Sequence, residues 1–180
     1  MNELLKLKPY IGLEKTLVIC AASAFGFEKY AQFQDHIFVH HISGGKLLRY
    51  DPQQREMLQD HVETKSCSQI IFVGSNDQKF TSQLQTPDSL YSLKAALTFN
   101  LKPLLRARHE KAIDPFIKMQ MLLELNVIRQ CQLLMDYFFI KEKVESNKLQ
   151  VKGLVTEMKS NQLKSIFHNG IAYNDLLTLN

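Results

Sequence analysis

The order of apolar and polar residues predicts that strands alternate with helices in the first half of the chain. Asp51 and Pro52 supply an N-cap and a first-turn proline, so a helix is predicted from there to about Thr64. Strands separated by helices favour βαβ crossovers and therefore a parallel sheet. Three short apolar runs have the length and content of strands buried on both faces; they are residues 16–20, 36–42 and 69–73.

The second half predicts two helices and a closing hairpin. One helix is predicted over residues 89–99 and a long one over about 114–141, whose apolar residues recur at spacings of three and four and so form one face. Strand character returns over 149–158, and a turn at Ser160-Asn161 leads into a hairpin partner over 162–167. The predicted apolar face of the long helix consists of Met119, Leu122, Leu123, Val127, Cys131, Leu134, Met135 and Phe138.

Composition fits one intracellular domain. With 180 residues, 45% of them hydrophobic, the chain can bury one core, so we expect a single domain over 1–180 with a short N-terminal arm over 1–14. No apolar run reaches the roughly 20 residues that span a bilayer, and the first residues lack a signal-peptide core. Three widely spaced cysteines indicate reduced thiols rather than a disulfide framework. We expect a cytoplasmic protein with no membrane partner.

The net charge of +4 is modest, and the densest basic stretch covers residues 102–111. We interpret this stretch as a solvated surface. No aromatic interleaving accompanies it, so no nucleic-acid partner is expected.

Three segments follow the three predicted strands, where ligands of parallel sheets bind. Residues 20–24 read Cys-Ala-Ala-Ser-Ala, residues 41–45 read His-Ile-Ser-Gly-Gly, and residues 74–79 read Gly-Ser-Asn-Asp-Gln-Lys. Their order and spacing resemble the β-class carbonic anhydrases, where the corresponding segments read Cys-x-Asp-Ser-Arg, Arg-Asn-Ala-Gly-Asn and Gly-His-x-x-Cys-Gly. Further along, residues 124–127 (Glu-Leu-Asn-Val) resemble the family's Glu-x-Asn-Val helix, and residues 149–163 resemble its C-terminal strand and hairpin.

The resemblance implies a fold and an oligomer. The implied fold class is α/β, with a central, mostly parallel sheet of four strands, one C-terminal antiparallel strand and flanking helices. The family forms dimers or larger oligomers partly through an N-terminal helical arm, and about 15 residues precede the first strand here. That contact is therefore in doubt. A homo-oligomer is still expected, as a dimer, with a small anion or a protein as a further possible partner.

The zinc site of the family is mostly absent. The resemblance aligns the metal ligands with Cys20, Ser75 and Gln78, of which Cys20 alone matches. An alcohol and a carboxamide are poor zinc donors, and a catalytic zinc needs about three protein ligands. Ala22 and Ala24 replace the family's aspartate–arginine pair. We therefore expect no zinc, no other cofactor and no catalytic residues.

Three alternatives use the same segments. Cys20, His41 and Asp77 form a possible rearranged metal site. Cys20 is a possible nucleophile or reactive thiol beside Ser23 and His41, without a third member. On a strand adjacent side chains point to opposite faces, so His41 is predicted to face the pocket and His40 to pack beneath a helix. Backbone N–H groups near Ser23 and Gly44-Gly45 are a possible anion site.

The sequence thus predicts a carbonic-anhydrase-like pseudoenzyme with a binding, regulatory or structural role. The alternative is an enzyme of altered chemistry that uses Cys20 and His41. The candidate pocket comprises Cys20, Ser23, His41, Gly44, Ser75, Asp77 and Gln78.

Overall fold

The computed structural model describes residues 7–20, 35–42, 47, 51–74, 115–157, 160 and 162–173, with side chains left undescribed at 115–118. The described strands are β1 (Thr16–Cys20), β2 (Ile37–His41), β3 (Gln69–Gly74), β4 (Gln150–Thr156), β5 (Leu163–His168) and β6 (Ile171–Ala172). The described helices are α1 (Pro52–Gln59), α2 (Pro115–Met135) and α3 (Phe138–Glu145). A π-helical segment, Asp60–Thr64, continues α1 directly.

The described strands form one mixed sheet in the order β2-β1-β3-β4-β5-β6. Strands β2, β1, β3 and β4 are parallel, and β5 pairs antiparallel with β4. This arrangement confirms the predicted four parallel strands and C-terminal antiparallel strand. β6 is an addition, formed after a turn at Asn169 and Gly170, which both have positive φ.

The helix predicted to begin at Asp51-Pro52 and to end near Thr64 is confirmed by α1 and its π-helical continuation. The Asp51 carboxylate accepts hydrogen bonds from the backbone N–H groups of Gln53 (2.9 Å) and Gln54 (3.4 Å). These N–H groups have no partner within the helix, which is why an aspartate at this position starts it.

The single long helix predicted over 114–141 is wrong, because α2 ends at Met135 and α3 begins at Phe138. Tyr137 has an extended backbone (φ −74°, ψ 119°) at the N-cap of α3 and redirects the chain. The assignment of Phe138 to the buried face is also wrong, since this side chain is 78% exposed. Three aromatic residues in succession, 137–139, cannot all lie on one stripe of a helix.

Each face of the parallel strands has its own apolar cluster, as expected for strands buried on both sides. The helical face packs alternate strand residues, such as Ile19 and Phe72, against α1, α2 and α3. The opposite face gathers the intervening residues, including Val18, Cys20 and Val73, together with Leu7 of the N-terminal segment.

Two glycines allow α2 to approach the sheet closely. A Cβ at Gly74 would lie 2.3 Å from Cγ2 of Val127, and one at Gly153 would lie 2.9 Å from Sγ of Cys131. Real Cβ atoms do not approach other heavy atoms this closely. The helix therefore rests on backbone at the end of β3 and in the middle of β4.

The helix predicted over residues 89–99 and the basic stretch over 102–111 lie outside the described residues. Within the described ranges, no helix combines the length and apolarity needed to cross a membrane.

Candidate functional site

Cys20 and His41 are the last residues of two adjacent parallel strands and are partners in the register of β1 with β2. Neighbouring strands lie about 4.8 Å apart, and register partners point to the same face. Cys20 is fully buried and belongs to the apolar cluster of the non-helical face. The fold thus places these two candidate residues side by side at the carboxyl ends of the strands, where parallel sheets bind ligands.

His40 lies on the helical face, where its register partner is Ile19. Its pKa is lowered, chiefly by burial and then by the positive charges that His61 and His41 acquire on protonation. His61 belongs to the π-helical segment and packs its ring against Phe38, and its Nδ1–H donates to the carbonyl oxygen of Met57 (2.8 Å). The two adjacent histidines therefore serve different faces, as strand alternation predicts.

Strand β3 ends beside these residues. Cys20 pairs with Val73, and β3 continues to Gly74 as its last residue. The remaining candidate positions lie outside the described residues; they are Ser23, Gly44, Ser75, Asp77 and Gln78, together with the replaced pair Ala22 and Ala24. The structure brings Cys20, His41 and the start of the third segment together, and the full pocket stays a prediction.

Among the described residues, no three His, Cys, Asp or Glu side chains are grouped so that they could hold a metal ion. Two of the three aligned ligand positions, Ser75 and Gln78, are not among those residues.

The other two cysteines lie in the core of the helical face. Burial raises the pKa of Cys67 to about 11, and burial also raises the pKa of Cys131. Because only a thiolate is nucleophilic, neither thiol is reactive near neutral pH.

Buried polar side chains on α2 form hydrogen bonds with one another and with the backbone of Leu47, which follows β2 in the chain. Gln130 accepts a hydrogen bond from the backbone N–H of Leu47 at Oε1 (2.7 Å) and donates from Nε2 to Oδ1 of Asn126 (3.2 Å). Glu124 is also buried and accepts from Nε2 of Gln120 (2.9 Å). In the sequence, Glu124 and Asn126 were marked only through the family resemblance. A stronger signal is that amides and a carboxylate interrupt an otherwise apolar helix face, where buried polar groups need partners.

A sheet of this order, with Cys20 at the end of β1 and α2 packed closely on two glycines of the sheet, defines an α/β protein of the β-class carbonic anhydrase fold. Solved structures of that class match nearly the whole chain. The β-carbonic anhydrase CafA of Aspergillus fumigatus is 16% identical, with a TM-score of 0.65 over 98% of this chain and 85% of that one. CafD from the same fungus is 18% identical, with a TM-score of 0.62 over 86% and 90% of the two chains. A β-carbonic anhydrase of Sordaria macrospora, described as tetrameric, is 17% identical, with a TM-score of 0.65 over 91% and 85%.

No protein-family model matches the sequence, and no curated protein matches it either. The comparisons confirm the fold that the sequence predicted. At these identities the chemistry has to be argued from the residues themselves.

Proposed function

We propose that this chain is a divergent β-carbonic-anhydrase-like protein without catalytic zinc, whose role is binding, regulatory or structural. The observation that carries the proposal is the contrast between a retained fold and an altered ligand set. Cys20 ends β1 at the ligand-binding edge, while Ser75 and Gln78 occupy the other aligned ligand positions.

The donor set does not fit a zinc ion. A serine hydroxyl is hardly deprotonated near neutral pH, and a glutamine oxygen is a neutral, hard donor. Cys20 would be the single strong ligand, and its side chain is already packed in an apolar cluster with Val18 and Val73. One thiolate does not hold zinc against water, since structural and catalytic sites use three or four protein ligands.

Carbon dioxide hydration is therefore not expected. The reaction depends on a metal that lowers the pKa of bound water to about 7. The aspartate–arginine pair of the family is replaced by Ala22 and Ala24, so the polar partners of such a water are missing as well.

Metal analysis tests the proposal most directly. Protein purified without chelator should contain well below one zinc per chain and should not accelerate carbon dioxide hydration in a stopped-flow assay. A content near one zinc per chain, together with turnover, would overturn the proposal.

Restoring the family residues gives a matched control. The quadruple variant Ala22→Asp, Ala24→Arg, Ser75→His, Gln78→Cys should bind about one zinc per chain, because the described strands already have the family's arrangement. Adding Cys20→Ser to that variant should abolish the binding. Zinc retained without Cys20 would show that the ion does not use the aligned site.

A second candidate function uses Cys20 and His41 as a reactive thiol or, with Asp77, as a rearranged metal site. Their register pairing on one face favours it. Iodoacetamide labelling followed over pH separates this candidate from the first. A labelling midpoint for Cys20 well below that of Cys67, shifted upward by His41→Gln, would support a reactive thiol. Equal, slow labelling of both cysteines would exclude it.

We further propose that the chain forms a homo-oligomer, most simply a dimer, in the cytoplasm. The similar Sordaria macrospora enzyme, described as tetrameric, supports an oligomer. Sedimentation velocity at micromolar concentration should give a mass of two chains. A single-chain mass across the concentration range would contradict it.

A further inference from the structure

A cleft of about 510 Å³ lies on the helical face, between the start of α1 and the junction of α2 with α3. Leu47, Tyr137 and Phe139, which line it, pack against the core of that face, whereas Cys20 belongs to the cluster on the opposite face. The cleft is therefore on the other face of the sheet from Cys20 and from its register partner His41. Its volume lies within the range of about 300–1,000 Å³ that is typical of small-molecule sites.

The hydroxyl of Tyr137 is buried and has no hydrogen-bond partner in the described part of the chain. A buried hydroxyl without a partner is unfavourable, so it favours any ligand that supplies one. Burial raises the pKa of Tyr137, and the nearby Asp51 carboxylate raises it further, while Arg55 opposes that effect. At neutral pH the hydroxyl is therefore protonated and is a hydrogen-bond donor.

Arg55 also lines the cleft, and its guanidinium makes no ion pair with any described residue. The two carboxylates of the cleft are engaged already. Asp51 accepts from the N-terminal N–H groups of α1, and Asp136 has an interaction of its own. Gln59 is a further polar residue of the lining, and its Nε2 donates to a carboxylate of the π-helical segment. The donors of the cleft that have no described partner are thus the Tyr137 hydroxyl and the Arg55 guanidinium.

The remaining wall of the cleft is apolar. Phe138 is 78% exposed, an unusual exposure for a phenylalanine, and Leu133 and Phe139 extend the same surface. A flat apolar body would cover these side chains and remove apolar area from water.

We propose that this cleft binds a small organic carboxylate with a flat apolar body. The carboxylate accepts hydrogen bonds from Tyr137 and Arg55, and the body lies against Phe138. Guanidinium and carboxylate groups are matched in geometry, which favours a carboxylate over a neutral acceptor. The proposal is independent of the zinc question, because Cys20 lies on the opposite face of the sheet from the cleft.

Naphthalene carboxylate and its uncharged amide form a matched pair of probes for titration followed by NMR. The carboxylate should bind with a dissociation constant on the order of millimolar, as expected for a ligand of this size, and the amide should bind at least several-fold more weakly. Arg55→Gln and Tyr137→Phe should each weaken carboxylate binding by roughly 5- to 10-fold. Lys148→Gln removes an exposed positive charge away from the cleft and should leave binding unchanged.

Three results would overturn the proposal. The first is that the carboxylate does not perturb the wild-type spectrum at tens of millimolar. The second is that it binds equally to wild type and to the Arg55 and Tyr137 variants. The third is that the chain self-associates, that Phe138→Ala abolishes this association, and that the carboxylate probe does not compete with it. The cleft would then be an interface between copies of the chain. Tyr137→Phe removes only an unpartnered hydroxyl, so retained circular dichroism is expected and the comparison stays interpretable.

Discussion

Replacement of Gly74 by alanine tests whether the close approach of α2 to β3 is a requirement of the fold. The new methyl group would meet Cγ2 of Val127 at 2.3 Å, well inside the 3.4 Å at which ordinary contact begins. Val127 is β-branched and sits on a helix, where one χ1 rotamer dominates, so its methyl group cannot swing aside. Among the described glycines, Gly170 has a positive φ and Gly74 does not. The energetic cost of alanine at Gly74 is therefore steric rather than conformational.

The expected decrease in the free energy of unfolding is the balance of two opposing effects. Overpacking a core costs about 1–3 kcal/mol, with the upper end expected for this overlap. Replacing glycine reduces the entropy of the unfolded chain and offsets about 0.4–1 kcal/mol. The net loss for Gly74→Ala is then about 2 kcal/mol. Val127→Ala alone removes two buried methyl groups and costs about 2 kcal/mol.

The two changes should be strongly coupled. In the double variant the new methyl group occupies the space that Cγ2 of Val127 leaves, so the total loss should stay near 2 kcal/mol instead of reaching about 4 kcal/mol. Urea unfolding followed by far-ultraviolet circular dichroism is the suitable assay, because the chain has no tryptophan.

Gly12→Ala is the matched control, since a Cβ there meets nothing within 4 Å. It should change the free energy of unfolding by no more than about 0.5 kcal/mol. A Gly74→Ala variant as stable as this control, or a double variant whose losses are simply additive, would refute the packing described for α2.

Three further predictions concern the polar side chains of Gln130, Asp51 and His40. Gln130→Met should cost about 2 kcal/mol in urea unfolding, because it leaves the buried N–H of Leu47 without an acceptor; a loss below 0.5 kcal/mol would contradict that contact. Asp51→Ala should lower the free energy of unfolding by about 1 kcal/mol. Asp51→Asn keeps a capping oxygen and should therefore keep most of the stability that the cap provides. The pKa of His40 is lowered below its usual 6.5, so the folded state binds this proton less readily than the unfolded state. Wild-type stability should therefore fall as pH drops below about 6.5, and should fall less in His40→Gln; parallel pH profiles would exclude His40 as a cause.

The parallel part of the fold was predictable because its strands are short and apolar on both faces. β1 matches the predicted run residue for residue, the run predicted at β2 is one residue longer at each end, and the run predicted at β3 is one residue shorter at its carboxyl end. A strand with both faces buried is mostly apolar, so a short apolar run in the sequence marks its approximate limits.

The helix break near Tyr137 was missed because nothing in the sequence there prohibits a helix. Neither proline nor glycine occurs between Met135 and Phe138, and Tyr137 caps α3 without a side-chain hydrogen bond. The direction of the chain is set by packing, since Tyr137 and Phe139 lie against the core while Phe138 does not. β6 was missed although Asn169-Gly170 is a typical hairpin turn.

The candidate site was predictable only in part. Strand alternation and topology alone place Cys20 beside His41 and separate His40 from both. The cleft near Tyr137 could not be foreseen, because Asp51 and Arg55 are far from Tyr137 in sequence and line one cleft with it only in the folded chain.

The burial of Cys20 changes how its retention is interpreted. The thiol fills a space among Val18, Val73 and Leu154, at the last position of a strand with both faces covered. A small, weakly polar side chain suits that space whether or not a metal ever binds. Packing alone is therefore a sufficient physical reason for a cysteine at this position, and its presence is not by itself evidence of a metal site.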